Sequence, residues 1–317
     1  MAYYLGLDAG GTKTECALAR DSTILARATA GTIKVMRAST EEAEGNLNSL
    51  LQAVSSQSGI MLDSIACTCV GLAGISVPRI ADWVRQSLHA RVSGDVLLSG
   101  DEVIALDAAF SGGAGVLVMA GTGSNIVARS SEGTLIHVGG WGPAVADEGS
   151  GNWIGKQAVR AIFDALDRDE TTLLLQAVLS AWDLPDVGSL IDRANQSPGP
   201  DFSKLTPVVA RCAEQEDPYA KRVLQLAGKD LGRYAVLAFQ RVRAIERANI
   251  ASPEIAFTGS VLRYVAPVRE SMCATIRHEL PGVTIQTEAV DPVQGALWRA
   301  RQQNTFAEYT GKNGVKP

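Results

Sequence analysis

The sequence predicts an α/β protein made of two similar halves. Apolar segments of strand length alternate with segments of helical periodicity through the first third of the chain, and the alternation restarts near residue 116. Each half opens with an apolar strand, a short tip rich in glycine and threonine, and a second strand. The similarity of these two tips suggests that the halves share one architecture.

The elements of the first half follow from its apolar pattern. Apolar runs predict strands at residues 3–7, 15–19, 24–28, 66–72 and 96–98. Leucines at helical spacing predict a helix at 40–55, and further helices are expected at 78–88 and 102–110. The last of these ends at Ser111-Gly112-Gly113, which is a helix stop signal.

The second half is predicted to be richer in helix. Its strands are expected at residues 116–120, 126–128, 135–138 and 255–257. Its helices are expected at 152–166, 171–182, 219–247, 265–278 and 292–303.

Composition limits the class of protein. The 317 residues are 46% hydrophobic and 20% charged, which is typical of a globular protein. The net charge of −5 without a basic block argues against nucleic acid as the main partner. The five cysteines form neither a C-x-x-C pair nor a zinc spacing, and no apolar run reaches membrane-spanning length. We therefore expect a cytoplasmic protein with no membrane partner.

The first tip is the stretch Asp8-Ala9-Gly10-Gly11-Thr12-Lys13-Thr14. Backbone N–H groups at such a turn make an anion-binding concavity, which glycine allows a ligand to approach closely. Asp8, at the end of a buried strand, is suited to hold Mg²⁺ because hard cations prefer oxygen ligands. The stretch is not a P-loop, because Lys-Ser/Thr does not follow the second glycine and a strand continues. The alternative is an ordinary hairpin turn with an exposed aspartate.

The second tip, Gly121-Thr122-Gly123-Ser124-Asn125, has the same chemistry and also follows a strand. Two such tips facing each other would bind a polyphosphate from both sides. The sequence has no G-x-G-x-x-G at a strand end, so a nicotinamide or flavin fold is not expected. The three histidines are scattered, which gives no support to a histidine metal site or a Ser-His-Asp triad.

These motifs together carry a resemblance. The order of D-x-G-G-T-K-T, G-T-G-S-N and then G-G-W-G-x-x-x-x-D-E-G-S-G resembles the N-acetylglucosamine kinases of the BadF/BadG/BcrA/BcrD ATPase family, within the actin/sugar-kinase/Hsp70 superfold. The resemblance implies two ribonuclease-H-like domains with ATP and sugar in the cleft between them. It implies domains at 1–114 and 115–290, and a helix within 291–317 that returns to the first domain, with hinges near Ala114 and Asp291.

The resemblance also implies roles for individual residues. Asp101 would be the base that takes the proton of the sugar hydroxyl, although it is also placed to cap the following helix. Asp8 would face the metal. The implied phosphate contacts are Gly10, Gly11, Thr12, Lys13, Gly121 and Thr122. The implied adenosine side consists of Ala213, Gly259, Ser260 and Tyr264.

The implied sugar contacts are Ser124, Asn125, Gly140, Trp141, Gly142 and Asp147. Trp141 also fits a core position, and either Asp147 or Glu148 fits a helix cap. The family usually has an asparagine after the third strand, whereas this chain has Lys34 and Arg37 nearby. This segment is either a solvated loop or a reader of an anionic group, such as the lactyl carboxylate of N-acetylmuramic acid.

The expected function is Mg·ATP-dependent phosphorylation of an amino sugar of the N-acetylglucosamine, glucosamine or N-acetylmuramic acid class. The resemblance also implies a homodimer. Two alternatives remain, namely an activator ATPase that works on a protein partner and a non-catalytic sugar sensor. The activators hold an iron–sulfur cluster with paired cysteines, and Cys212 and Cys273 are far apart in the sequence.

Overall fold

The computed structural model describes residues 1–35, 38–72, 74–75, 77–246 and 254–302. The chain divides into two compact units. Unit 1 contains Met1–Gly115, Ser131–Leu135 and the described residues from Val290 onward, and unit 2 contains Val116–Ser130 and Ile136–Ala289. Both units combine a sheet with helices, so the predicted α/β class is confirmed.

The described residues form nine strands and eleven α-helices. The strands are β1 (Tyr3–Ala9), β2 (Lys13–Arg20), β3 (Thr23–Gly31), β4 (Ile65–Leu72), β5 (Asp95–Ser99), β6 (Gly115–Ala120), β7 (Ser124–Arg129), β8 (Leu135–Val138) and β9 (Glu254–Thr258). The helices are α1 (Thr40–Ser58), α2 (Pro78–His89), α3 (Asp101–Phe110), α4 (Gly151–Asp167), α5 (Leu173–Ala181), α6 (Val187–Ala194), α7 (Thr206–Glu214), α8 (Pro218–Ile245), α9 (Ser260–Tyr264), α10 (Ala266–Glu279) and α11 (Pro292–Arg301).

The sheet of unit 1 has the order β3-β2-β1-β4-β5. The pairs β1–β2 and β2–β3 are antiparallel, whereas β1–β4 and β4–β5 are parallel. Consequently β1, β3, β4 and β5 all run in one direction and end at the same edge of the sheet. We call this the carboxyl edge, and it is where loops after parallel strands gather functional residues.

The first face of this sheet is covered by α1 and α2. Leu5 and Leu7 alternate along β1 and are buried in one apolar cluster with Leu47 and Leu50 of α1 and Val84 of α2. Each of these leucine side chains has no exposed surface, and full burial of one contributes about 1.5–3 kcal/mol.

The second face carries α3 and α11 in close contact. A side chain on Gly6 of β1 would lie 2.8 Å from Leu297 Cγ, and one on Gly295 of α11 would overlap the backbone of α3. Arg299 Nε of α11 donates a 2.8 Å hydrogen bond to Asp107 Oδ2 of α3, and this ion pair is buried. The position of α3, and of Asp101 at its start, therefore depends on α11.

Unit 2 has a sheet of order β8-β7-β6-β9 and one large apolar cluster. The 28-residue α8 is central to it, and Gly228 and Gly232 let α10 approach its backbone closely. Asp217 accepts hydrogen bonds from Ala220 N at 2.8 Å and from Leu173 N at 2.7 Å. One carboxylate therefore binds the first turn of α8 and the first residue of α5. The short helices α6 and α7 were not expected from the sequence pattern.

All five cysteines lie within the described residues. Four of the five cysteines are buried and Cys273 is half-buried. Within the part of the chain that the structure describes, none of the helices has an apolar stretch long enough to span a membrane.

Candidate active site

Asp8 and Asp101 lie at the carboxyl edge of unit 1. Asp8 pairs with Gly71 of β4, and Gly71 pairs with Ser99 of β5, so the ends of three parallel strands are level. Asp101 comes two residues after Ser99, as the first residue of α3. The sheet therefore brings together two carboxylates that are 93 positions apart in the sequence.

The electrostatics of Asp8 reflect this proximity. Burial first, and then the charges of Asp101, Glu15 and Asp291 in that order, together raise the pKa of Asp8 to about 7. Lys13 acts in the opposite direction, although its ammonium group pairs with Glu15. An edge with this charge favours a bound cation.

Asp101 is not the cap of α3. The N-cap is Gly100, and no side chain makes the cap hydrogen bond. Burial, then a side-chain hydrogen bond with Asp101 and then the charge of Asp101 together raise the pKa of Glu102 to about 8. Gly100 leaves the space that the Glu102 carboxyl group occupies. A protonated Glu102 is therefore a donor to Asp101, a partnership that sequence reasoning missed.

Asp291 is a second residue at this edge whose position the sequence did not reveal. It caps α11 by accepting from Val293 N at 3.2 Å, and its Oδ2 accepts from Arg27 Nη2 at 2.6 Å. Its charge is among those that raise the pKa of Asp8. A signal for the cap existed in the sequence, because an aspartate followed by proline commonly starts a helix.

The first tip keeps its shape through hydrogen bonds. Gly10 N donates to Lys13 O at 3.1 Å, and Gly10 O accepts from Thr32 Oγ1 at 2.8 Å. Neither Gly10 nor Gly11 has a positive φ, so this turn does not need the left-handed conformation that glycine favours. Gly11 instead has no atom within 4 Å of the place where a side chain would begin, so a ligand has room there. Thr12 is exposed.

Lys34 lies near the carboxyl edge. Its Nζ is 3.5 Å from the place that a side-chain Cβ on Gly74 would occupy, in the loop after β4. Arg37, the second cation considered from the sequence, lies outside the described residues.

The second tip, in unit 2, is bound to the start of α4. Gly121 O accepts from Gly151 N at 2.8 Å, and Thr122 O accepts from Asn152 N at 3.2 Å. The first N–H groups of α4 are therefore used by the tip itself. A glycine at 259, with φ of 98°, brings the start of α9 against the end of β6.

Asp147 joins this tip to α4. Its Oδ1 accepts from Ser124 N at 2.7 Å and from Ser124 Oγ at 3.3 Å, and its Oδ2 accepts from Ser150 Oγ at 2.8 Å. Ser150 in turn accepts from Trp153 N at 3.0 Å and is the N-cap of α4. Neither Asp147 nor Glu148 is the cap. A serine directly before a helical pattern is a cap signal that points to Ser150.

The glycine-rich loop after β8 packs on β7. Gly140 has a φ of 70°, and a side chain there would lie 2.9 Å from Asn125 Oδ1 and from Ser124 O. This loop therefore lies against two predicted sugar contacts. Trp141 between the glycines is 64% exposed, which excludes the alternative that it is a core residue.

The predicted adenosine residues differ in their surroundings. Gly259 and Ser260 lie beside the second tip, since a side chain on Gly121 would be 3.7 Å from Ser260 Oγ. Tyr264 is 76% exposed at the end of α9. Ala213 is buried in the apolar cluster of unit 2, so its side chain is not open to a ligand.

The donor set of unit 1 fits a magnesium ion. The described residues contain no group of three or more histidine, cysteine or acidic side chains arranged to hold a metal by themselves. Mg²⁺ is commonly bound by one or two carboxylates, with waters and substrate phosphates completing its octahedron. Asp8, with the charge of Asp101 beside it, supplies that type of partial site.

Known proteins resemble this chain over nearly its whole length. An N-acetylmuramic acid/N-acetylglucosamine kinase from Clostridium acetobutylicum is 27% identical over 314 residues, covering 96% of this chain and 99% of that protein. An N-acetyl-D-glucosamine kinase from Dictyostelium discoideum is 25% identical, covering 92% and 96% of the two chains.

The similarity extends to a solved structure and to a family model. A proposed N-acetylglucosamine kinase from Chromobacterium violaceum matches with a TM-score of 0.71 at 26% identity, over 94% of this chain and 98% of that one. The fold is the actin-like ATPase fold that the sequence motifs implied. The model of the BadF/BadG/BcrA/BcrD ATPase family matches residues 5–300. The chain therefore belongs to the BadF/BadG/BcrA/BcrD ATPase family.

Proposed function

We propose that this protein phosphorylates an amino sugar of the N-acetylglucosamine, glucosamine or N-acetylmuramic acid class with ATP, and that Asp101 is the general base. Membership of the ATPase family and the names of its relatives support the reaction class. The observation that carries the assignment of Asp101 is its position beside Asp8 at the carboxyl edge, with no structural role as a helix cap.

The proposed step is proton removal from the attacking hydroxyl. As the sugar oxygen bonds to the γ-phosphorus and the bond to ADP breaks, Asp101 accepts the hydroxyl proton. Glu102, which keeps its proton because of its raised pKa, donates a hydrogen bond to Asp101 and holds its orientation. Asp8 is proposed to hold Mg²⁺. When bound, Mg²⁺ offsets the charge of the phosphate oxygens.

The remaining contacts are proposals based on the family motifs. Phosphates are assigned to Gly10, Gly11, Thr12, Lys13, Gly121 and Thr122, and adenosine to Gly259, Ser260 and Tyr264. The sugar is assigned to Ser124, Asn125, Gly140, Trp141, Gly142 and Asp147. The exposure of Trp141 supports its use as an apolar platform for a sugar ring. Ala213 would act only as a supporting residue because it is buried.

We also propose that residues 1–114 and 115–290 form the two ribonuclease-H-like domains. Residues 291–317 then contain a helix, α11, that follows the second domain in the sequence but belongs to the first. The packing of α11 on β1 and α3 supports the last part of this assignment. The homodimer and the cytoplasmic location stay predictions.

The direct test is ADP release from Mg·ATP with a panel of acceptors. N-acetylglucosamine, glucosamine, N-acetylmuramic acid, N-acetylmannosamine and glucose are compared with a blank that contains no sugar. We expect release that depends on an amino sugar, and loss of that release in Asp101→Asn. Release equal to the blank on every sugar would contradict the proposal and favour an activator ATPase with a protein partner.

A further inference from the structure

Residues 139–149 of unit 2 form a glycine-rich loop, which we call the acceptor loop. It contains four of the six residues assigned to the sugar, namely Gly140, Trp141, Gly142 and Asp147. The middle of the loop closes on itself, because Trp141 N donates to Ala146 O at 2.9 Å and Gly142 forms a β-bridge with Ala146. The placement of the loop therefore depends on the contacts at its two ends.

The first end of the acceptor loop lies against Tyr234, a half-buried residue of α8. Gly139 has a φ of 70°, and a side-chain Cβ there would lie 3.5 Å from Tyr234 Cδ2 and 3.6 Å from Tyr234 Cε2. The backbone at Gly139 thus packs on one edge of the tyrosine ring. A side chain at this position would separate the loop from α8.

The second end of the acceptor loop is bound by the same tyrosine. The hydroxyl group of Tyr234 donates a hydrogen bond to the Glu148 carboxylate, and burial, then the charge of Glu148 and then this hydrogen bond raise the pKa of Tyr234. Gly149, with a φ of 76°, also packs on α8, since a Cβ there would lie 2.3 Å from Leu231 Cγ. One side chain of α8 therefore contacts both ends of the loop.

The Glu148 carboxylate is only partly satisfied. Its Oε2 atom is buried and has no hydrogen-bond partner among the residues that the structure describes. Each oxygen of the neighbouring Asp147, by contrast, accepts a hydrogen bond from a serine. A buried polar atom without a partner lowers stability, and such atoms call for a functional explanation. The contact between Glu148 and Tyr234 is therefore not optimised for stability alone.

We propose that Tyr234 and Glu148 are positioning residues of the acceptor site, whose hydrogen bond sets the shape of the acceptor loop and thereby the affinity for the sugar. This inference rests on the proposed kinase function, because it takes the loop to be the sugar site. Tyr234 acts through the loop and does not contact the reacting groups. Its loss should raise the KM for the sugar while kcat and the KM for ATP stay nearly unchanged.

The test is Tyr234→Phe in the full-length protein, which removes only the hydroxyl group. Calorimetric titration uses whichever of the five panel sugars the wild type phosphorylates fastest. We expect the Kd for this sugar to rise about fivefold or more, in line with the loss of one hydrogen bond to a charged group. An unchanged Kd for the sugar would overturn the inference, and so would an equal loss of affinity for ATP.

The matched control is Tyr219→Phe. Tyr219 is on the same helix and also donates to a glutamate, Glu170, at 2.6 Å. This variant removes the same type of hydrogen bond outside the acceptor loop, so it should leave the Kd for the sugar unchanged even if it lowers the free energy of unfolding. Equal losses of sugar affinity in Tyr219→Phe and Tyr234→Phe would assign both to general destabilisation and overturn the inference.

A double-mutant cycle tests the pairing itself. Glu148→Ala should weaken sugar binding, whereas Glu148→Gln should retain part of the affinity because its amide oxygen still accepts from Tyr234. The combination of Tyr234→Phe with Glu148→Ala should bind the sugar no more weakly than Glu148→Ala alone, since both changes remove one hydrogen bond. Losses that add would contradict the pairing. If Glu148→Ala does not fold, Tyr234→Phe with its control decides the inference.

The failure of the inference and of the proposed function are distinguishable. Sugar-dependent ADP release with an unchanged sugar affinity in Tyr234→Phe contradicts only the inference. If the wild type phosphorylates none of the sugars, the proposed function is contradicted, and hydrogen exchange without sugar still tests the positioning of the loop. Amides of residues 139–149 should exchange faster in Tyr234→Phe than in wild type or Tyr219→Phe, and equal rates in all three would overturn the positioning role.

Discussion

The two glycine- and threonine-rich tips share a sequence pattern but differ in their surroundings. The first tip follows Asp8, whose pKa is raised by burial and by the charges of Asp101, Glu15 and Asp291. The second tip accepts hydrogen bonds from the start of α4, and the buried carboxylate of Asp147 accepts three more, two from Ser124 and one from Ser150. One tip lies in a region of concentrated negative charge, and the other lies in a hydrogen-bonded scaffold.

The difference shows that carboxylates near similar tips have opposite effects on the stability of the fold. Asp147 is satisfied by serine donors, so its burial is compensated. Burial and like charges raise the pKa of Asp8. The ionised form of Asp8 is therefore unfavourable unless a cation is bound. We therefore expect removal of Asp147 to destabilise the fold, and removal of the Asp8 charge to stabilise the metal-free fold.

The largest expected effect is that of Asp101→Asn. Loss of the base should lower kcat by about 10³-fold or more, while ATP and sugar still bind, because Asp101 makes no helix cap and is half-buried. Steady-state kinetics and calorimetric titration measure the two parts. Asp186→Asn, at the exposed N-cap of α6, is the control and should leave kcat unchanged. A kcat of Asp101→Asn within tenfold of wild type would remove Asp101 from the role.

The second effect is on stability in unit 2. Asp147→Ala removes the acceptor of Ser124 N, Ser124 Oγ and Ser150 Oγ, and it leaves these buried donors unsatisfied. The free energy of unfolding should fall by about 2–4 kcal/mol, measured by urea denaturation. Asp201→Ala removes an exposed carboxylate that is hydrogen-bonded to Ser203. It should lower the free energy of unfolding by about 1 kcal/mol at most. Equal losses in both variants would contradict the role of Asp147.

The third effect is a pH dependence that originates in unit 1. The pKa values of Asp8 and Glu102 in the folded state are about 7 and about 8, above their ordinary values of 3.8 and 4.5. The folded state therefore binds more protons than the unfolded state between about pH 4 and pH 8, and the stability these groups contribute at low pH is lost as the pH rises through this window. Metal-free protein should be less stable at pH 8 than at pH 5.

Asp8→Asn tests which residue causes this loss. At pH 8 without metal it should raise the free energy of unfolding by about 1–2 kcal/mol relative to wild type, with a smaller gain at pH 5. Mg²⁺ with ADP should stabilise the wild type at pH 8 and have less effect on the variant. A variant that is destabilised at both pH values would contradict the electrostatic difference between the tips.

The smallest effect concerns the exposed end of the first tip. Thr12→Val removes a hydroxyl that is exposed at the tip, so the fold should be unaffected. The KM for ATP should rise about 3- to 10-fold, in line with the loss of one hydrogen bond to a charged group. Initial rates at varied ATP measure it, and a changed KM for sugar with an unchanged KM for ATP would assign Thr12 to the other substrate.

The sequence predicted much of the fold because strand and helix periods are strong local signals. The ends of β1 and β5, and hence Asp8 and Asp101, could be found because apolar runs stop there. Asp291 could not be placed, since its approach to the carboxyl edge depends on the packing of α11 on β1, far away in the sequence. The donor role of Glu102 also could not be predicted, because it depends on burial that raises its pKa.

The second tip shows the same limit. The motif predicted that Asp147 and Ser124 both contact the sugar, and it offered Asp147 or Glu148 as the cap of α4. The choice of Ser150 is settled by backbone geometry, which places its hydroxyl at Trp153 N. Short-range candidates of similar chemistry are separated only by such geometry.

The most direct test of the central claim is the stoichiometry of the products. Phosphorus NMR measures it while the protein turns over Mg·ATP with N-acetylglucosamine or N-acetylmuramic acid. The account predicts one sugar phosphate for each ADP with the wild-type protein. ADP formed together with inorganic phosphate, and no sugar phosphate on either acceptor, would contradict it.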